Sequence, residues 1–388
     1  MRNAFRKIIL CVIAALIIIL IFILFNRPKR IIITENNYID LSIRFNDDQI
    51  HANRHGVEVV NNVVYIKDGG KYELMGKSSD ARIEVDAPGK DVELILNSLH
   101  VNSKEDAVIY IKSGNVTFDV KEGTINDLSD IMTVRPHNAT IYSEDSIKFI
   151  GKGTLYISGK YSNVIHSMKD VEIDGASYYI NAQDTALYAA NNLKISSGNV
   201  TISSCSEGLT GNNVEIKSGI TTITSNNSAV NGTGSEGLVT ITGGEVTINS
   251  LNGGINASKN VLLNGGNVLI NNVAEGNKPA IYAQEGIISK SGKMLVLDKS
   301  LTNQISVPVE GSTINGVLFN FNAGISSGII RVASGGEDNI IYHALKNPIY
   351  RLLLIDSSLT VGKTYNLYTN NEIIRTVTIN GINNYSNY

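Results

Sequence analysis

The chain has no tryptophan, six prolines and two cysteines among 388 residues, and charged residues make up only 18%. Two cysteines cannot build a disulfide framework. Few prolines exclude a collagen-like chain despite 35 glycines, and the low charge argues against a coiled coil. Hydrophobic residues at 43% exclude intrinsic disorder. Abundant Asn and Gly, by contrast, point to a turn-rich, all-β chain.

The formal charge of −3 hides an asymmetry. Residues 1–30 hold Arg2, Arg6, Lys7, Arg27, Lys29 and Arg30 and no acid, which leaves the rest net acidic. An acidic body lacks the basic footprint that phosphates require, so nucleic acid is not an expected partner. Residues 8–25, IILCVIAALIIILIFILF, are uninterruptedly apolar. As a helix they would span roughly 27 Å, close to the hydrocarbon thickness of a bilayer. The exit FILFNRPKR offers no small-x-small cleavage site. The expectation is an uncleaved single-pass anchor in the cell membrane, with the lipid bilayer as a partner and the bulk of the chain outside the cell. Cys11 falls inside this run, so a bridge to Cys205 is not expected.

Internal self-similarity decides the architecture. A motif V-x-I-x-x-G-x-V-x-I returns as VEIDGASYYI at 171–180, LKISSGNVTI at 193–202, VEIKSGITTI at 214–223, VTITGGEVTI at 239–248 and VLLNGGNVLI at 261–270. Between copies sits a short apolar beat centred on Ile165, Leu187, Leu209, Val230, Ile255 and Ile281. Each repeat of about 22 residues therefore holds three short β segments with apolar residues on alternate positions. One repeat cannot bury its own apolar face, so repeats must stack. The expected fold is all-β: a right-handed parallel β-helix of about nine rungs. A β-propeller would need about 40–50 residues per blade. After about residue 300 the period fails, and strand pairs with Gly turns suggest an antiparallel cap or small sandwich. The predicted layout is an anchor at 1–30, a linker and N-terminal cap at 31–58, the β-helix at 59–299 and a β-rich C-terminal part at 300–388.

If V and I of the motif point inward, the residues between them point out. One outward column reads Lys148, Glu172, Lys194, Glu215, and its alternating charge suits cross-strand pairing. A second reads Tyr156, Tyr179, Thr201, Thr222, Thr247 and suits β structure. The column after the apolar beat mixes rings with hydrogen-bonding groups: Tyr110, Tyr142, His166, Tyr188, Thr210, Asn231, Asn256 and Tyr282. Tyr142 and Tyr188 lie two rungs apart, roughly 10 Å, a spacing at which both could stack on one extended glycan. This column is the candidate carbohydrate-binding stripe. No catalytic constellation emerges: residues 138–289 contain no Arg, and Asp170, Glu172 and Asp174 cluster, but Glu172 already belongs to the charge-paired column.

The segments KYELMGKSSDARIEVDA at 71–87, DVELILNSLHV at 91–101, DAVIYIKSGNVTFDVKEGTINDLSD at 106–130, NATIYSEDSIKFIGKGTLYISGKYSNVIHS from Asn138 and SLTVGKTYNLYTNNE at 358–372, in this order, resemble a bacterial family. It is that of carbohydrate-binding domain-containing surface proteins with a pectate-lyase-like β-helix. The resemblance implies extracellular polysaccharide binding on a β-helix, with calcium as an accompanying ion; with no catalytic constellation in the residues, binding without cleavage is the expectation. A lyase or hydrolase on the same scaffold, or an adhesive surface protein, are the alternatives. The family's acidic D-D-G-I turns are replaced here by SNVI at 162–165, DTAL at 184–187, SEGL at 206–209, NSAV at 227–230 and NGGI at 252–255. Only Asp184 and Glu207 keep a carboxylate, so at most one weak calcium site is expected.

Overall fold

The computed structural model describes residues 42–386, apart from 48, 53, 132–134, 303, 326–327 and 335–337. The predicted membrane segment at 8–25 lies outside the described residues. Among those described, no helix is long and apolar enough to cross a membrane. Leu41–Tyr388 form one unit.

The V-x-I periodicity is expressed as parallel strands stacked rung on rung. Val92, Val116, Ile147, Val171, Leu193, Val214, Val239, Val261 and Ile287 follow one another in register through successive strand pairs. All are buried and belong to a single apolar core running the length of a solenoid of about nine turns. Alternation along the strands is regular: in Val239–Ser250, apolar positions are buried and the Thr between them half-exposed. Aromatic rings stack within the core. Phe118 stacks on Phe149 at 4.6 Å, and Tyr178 meets Phe149 edge-on at 6.0 Å.

The glycine of the motif is a steric necessity. At Gly198, φ is +95°, and a Cβ would fall well inside the radius of the Gly175 carbonyl oxygen in the preceding rung. Only glycine lets the backbone turn that tightly beside its neighbour.

Both ends of the solenoid are covered. At the first rungs, Ser42–Asn46 pairs antiparallel with Gln49–Ala52 and parallel with Gly70–Ser78, and buries Ile43 and Phe45 in the main core. At the far end the pairing changes sign. Ile349–Asp356 runs antiparallel to the last solenoid strand, Ile287–Asp298, and to Gly316–Ile325. A second, four-stranded antiparallel sheet has the order Asp338–Leu345, Gly328–Ser334, Thr364–Thr369, Glu372–Thr378. A separate apolar core joins the two sheets, with Leu295, Val317, Phe319, Leu352 and Leu354 facing Ile330, Val332, Leu367 and Val377. This is a small sandwich seated on the last turn.

Candidate functional site

The short strands of the apolar beat position the candidate stripe. In Asn163–Ser167 and its equivalents, Ile165, Leu187, Leu209, Val230, Ile255 and Ile281 face the core. The following residue in each turns away from the core, although His166, Thr210 and Asn231 are themselves buried, which corrects the expectation of a stripe exposed along its whole length. Register then places Tyr110, Tyr142, His166, Tyr188, Thr210, Asn231, Asn256 and Tyr282 in one unbroken column.

The column has two chemically distinct halves. From Tyr110 to Tyr188 it is a stack of rings. Tyr142 and His166 lie at 4.9 Å, His166 and Tyr188 at 4.5 Å, and Tyr110 and Tyr142 at 6.1 Å. Rungs are about 4.8 Å apart, so rings on successive rungs cover each other's faces. This corrects the expectation that Tyr142 and Tyr188 would each offer a face across a two-rung gap. His166 fills that gap, and the stack presents ring edges and hydroxyls instead.

His137 joins the stack from a longer turn, 3.9 Å from Tyr110 and 4.9 Å from Tyr142. Sequence periodicity misses it because the residues between Asp130 and Ala139 do not follow the repeat. Its Nδ1 lies 2.8 Å from Oδ2 of buried Asp106, which also receives Arg82 at 3.4 Å. Nearby, buried Asp130 pairs with Arg135 at 2.8 Å and accepts a hydrogen bond from Thr140 Oγ1 at 2.6 Å. At the head of the stack Tyr110 donates to Glu144 Oε1 at 2.6 Å. Burial and this bond both raise the Tyr110 pKa, and burial raises that of Tyr142, so both hydroxyls stay protonated donors.

His166 is held in one tautomer. Asn163 Oδ1 accepts the Thr185 backbone N–H at 3.2 Å, which turns the Asn163 amide nitrogen toward His166 Nδ1 at 2.9 Å. Nδ1 is therefore the acceptor and the proton sits on Nε2. Nε2 is buried without a hydrogen-bond partner among the described residues. Burial lowers the His166 pKa to about 4, so the ring is neutral at physiological pH.

The second half is made of amides and opens at its end. Asn231 Nδ2 donates to Thr210 Oγ1 at 3.2 Å, and Thr210 in turn donates to Glu207 Oε2 at 3.2 Å. Beyond them a pocket of about 220 Å³ is lined by Ser228, Asn256, Asn277, Lys278, Tyr282 and Gln304. Tyr282 is the one ring of the column without a ring neighbour on an adjacent rung, since Asn256 precedes it in register, and it is 36% exposed. An aromatic ring beside several amides can bury the C–H face of a sugar while bonding its hydroxyls.

The other columns are occupied structurally. Glu172 lies 3.3 Å from both Lys148 and Lys194 and accepts a bond from Ser196 at 2.7 Å. Tyr156 and Tyr179 stack on each other at 4.8 Å. Asp184 and Glu207 bring two carboxylates, fewer than the several that a strong calcium site takes. Glu207 is engaged by Thr210, and among the described residues no three His, Cys, Asp or Glu side chains cluster to hold a metal. Cys205 is buried beside these two acids, and burial with their charges pushes its thiol up to about 12, an unreactive filler.

Comparison with known proteins agrees with this architecture. A solved structure from C. thermocellum, called a polysaccharide lyase-like protein and studied as a gadolinium derivative, is similar in fold. It shares 24% identity with a TM-score of 0.50, over 63% of this chain and 95% of that one. Comparison with curated protein sequences gives no match. A family model matches residues 60–339, most of the chain and nearly the whole solenoid. With that match spanning the rungs that carry the column, the chain belongs to the carbohydrate-binding domain-containing protein family.

Proposed function

We propose that the chain binds an extended polysaccharide along the column from Tyr110 to Tyr282, holding it outside the cell from a membrane anchor at residues 8–25 and leaving it uncleaved. The observation that carries the reading is the unbroken register of the column, which ends in the amide-lined pocket beside Tyr282. A regular strand spacing of about 4.8 Å matches a repetitive ligand better than a small one. Family membership supports carbohydrate as the partner. The apolar run and its uncleavable exit support the anchor. Uncleaved ligand is favoured because carboxylates near the column are committed elsewhere: Asp106 to Arg82 and His137, Asp130 to Arg135 and Thr140, and Glu144 to Tyr110.

The test is a pull-down against a panel of insoluble and soluble polysaccharides. Replacing Asn256 and Tyr282 together by Ala should weaken binding by roughly tenfold, as the loss of one ring contact and one hydrogen bond implies. Replacing Lys194 in the charge column should leave binding unchanged. Binding lost on Lys194→Ala and retained in the double variant would move the site to another face.

One observation favours a second reading, cleavage. Asp106 orients the His137 ring, as a general base requires. Release of new reducing ends or unsaturated products from the bound polysaccharide, abolished in His137→Gln, would establish it.

A further inference from the structure

A large cleft lies under the C-terminal sheet and shares no lining residue with the pocket beside Tyr282. Its origin is legible in one strand. Gly316–Ile325 alternates, with Val317, Phe319 and Phe321 turned into the sandwich core. The opposite face begins with Leu318, which packs with Leu353 and Ile355 onto the solenoid core. At the next two positions of that face, Asn320 and Asn322 stand where further apolar residues would seal the sheet against the solenoid. The sheet stands apart there from Ser300, Leu301, Ile305 and Val307 and leaves a cleft of about 580 Å³.

The lining is aromatic and amide-rich. Tyr350 and Tyr385 supply rings, and Asn320 and Asn322 supply amides. Tyr385 is about half exposed at the mouth. At the base lies buried Arg351, whose charge is already spent. Its Nε lies 2.9 Å from fully buried Asp298, and its Nη2 donates to Ser300 Oγ at 2.8 Å. Such a site has donors, acceptors and ring surface but no net charge to offer. Its volume lies within the range of small-molecule sites.

We propose that this cleft is a second saccharide site, taking a short neutral oligosaccharide rather than a run of polymer. Rings bury the C–H faces of the sugar, and the exposed Asn322 amide bonds its hydroxyls. The site is independent of the column. A polysaccharide held along the solenoid can also be engaged at an end or branch near the last turn.

The test uses the full chain in detergent, with soluble neutral trisaccharides: maltotriose, xylotriose, mannotriose and cellotriose. Binding is read by titration calorimetry and saturation-transfer NMR. At least one trisaccharide should bind in the millimolar range or tighter. Tyr385→Ala with Asn322→Ala should weaken it about tenfold, and Asn322→Trp, at an exposed position, should block the mouth while the melting temperature holds. The column variant Asn256→Ala with Tyr282→Ala should leave trisaccharide binding intact. Failure of the column reading and of this one are thus separate results. No binding of any trisaccharide at millimolar concentration, or equal binding by parent and cleft variants, overturns the proposal. So does a uronate trisaccharide that binds more than tenfold tighter than every neutral one, since it would assign recognition to Arg351 charge.

Discussion

His166 shows how a single ring links the column to stability. In the folded chain its pKa is lowered by burial to about 4, against an ordinary value of 6.5. The unfolded chain therefore binds a proton that the folded chain refuses. The stabilisation is fully present above about pH 6.5 and is lost as pH falls toward 4, amounting to on the order of 2–3 kcal/mol. His166→Phe keeps a ring between Tyr142 and Tyr188 but cannot titrate. Its melting temperature should fall less than the parent's between pH 6.5 and 4. Parallel pH profiles for the two proteins would mean that another group carries the acid sensitivity.

The same scale shows where the sequence was mute. The Asn163 amide that fixes the His166 tautomer is visible only once Thr185 is seen to donate to its oxygen.

The rung is the element in which sequence and structure agree most closely. Its three strands, its inward V and I, and the shared register of the column were legible because a solenoid makes each contact local to the next repeat. The alternation of Lys148, Glu172 and Lys194 predicted ion pairs that the structure contains. Two features escaped. His137 lies in an irregular turn, which periodicity cannot place. The ring stack consumed faces that the column pattern left available, because sequence gives the order of rings but not their tilt.

The motif glycine allows a sharp test of rung geometry. Gly198→Ala would press a Cβ against the Gly175 carbonyl at positive φ, where no flexible side chain can yield. A loss of more than about 3 kcal/mol is expected from steric conflict and backbone strain together. Gly89 has φ +70° but nothing within 4 Å of where a Cβ would stand, so Gly89→Ala should cost only about 1 kcal/mol. Denaturant titration measures both. Equal losses would mean that φ alone, and not the stacked carbonyl, demands glycine at the turn.

At the scale of the molecule, the acidic turns that the family resemblance implies are largely absent, and the rungs are tied instead by Asn and Ser. Asn227 Nδ2 donates to Ser206 Oγ at 3.1 Å, and Asn252 Nδ2 to Asn227 Oδ1 at 3.4 Å. These neutral bonds link neighbouring turns directly. Melting temperatures in EDTA and in millimolar calcium should therefore agree to within about 2 °C, since appreciable linkage needs a ligand bound to the folded state alone. A rise of many degrees with calcium would show that Asp184 and Glu207 recruit backbone oxygens into a working site.

The C-terminal sandwich has a consequence for solubility. A parallel solenoid ends in an unpaired strand, and an exposed apolar edge invites pairing with another chain. Here Ile349–Asp356 pairs antiparallel along Ile287–Asp298, from Lys293↔Asp356 to Asp298↔Arg351. It also covers Leu295 and Leu297, which belong to the sandwich core. A chain ending after Asp298 loses that partner strand and bares both leucines while keeping the solenoid. It should associate where the full chain does not, seen by light scattering and thioflavin T with both chains in the same detergent. Leu295→Lys and Leu297→Lys in the truncated chain should restore monomers, because charge on an edge strand opposes pairing. If the truncated chain stays monomeric and melts like the parent, the last rung protects its own edge and the sandwich has a role other than capping.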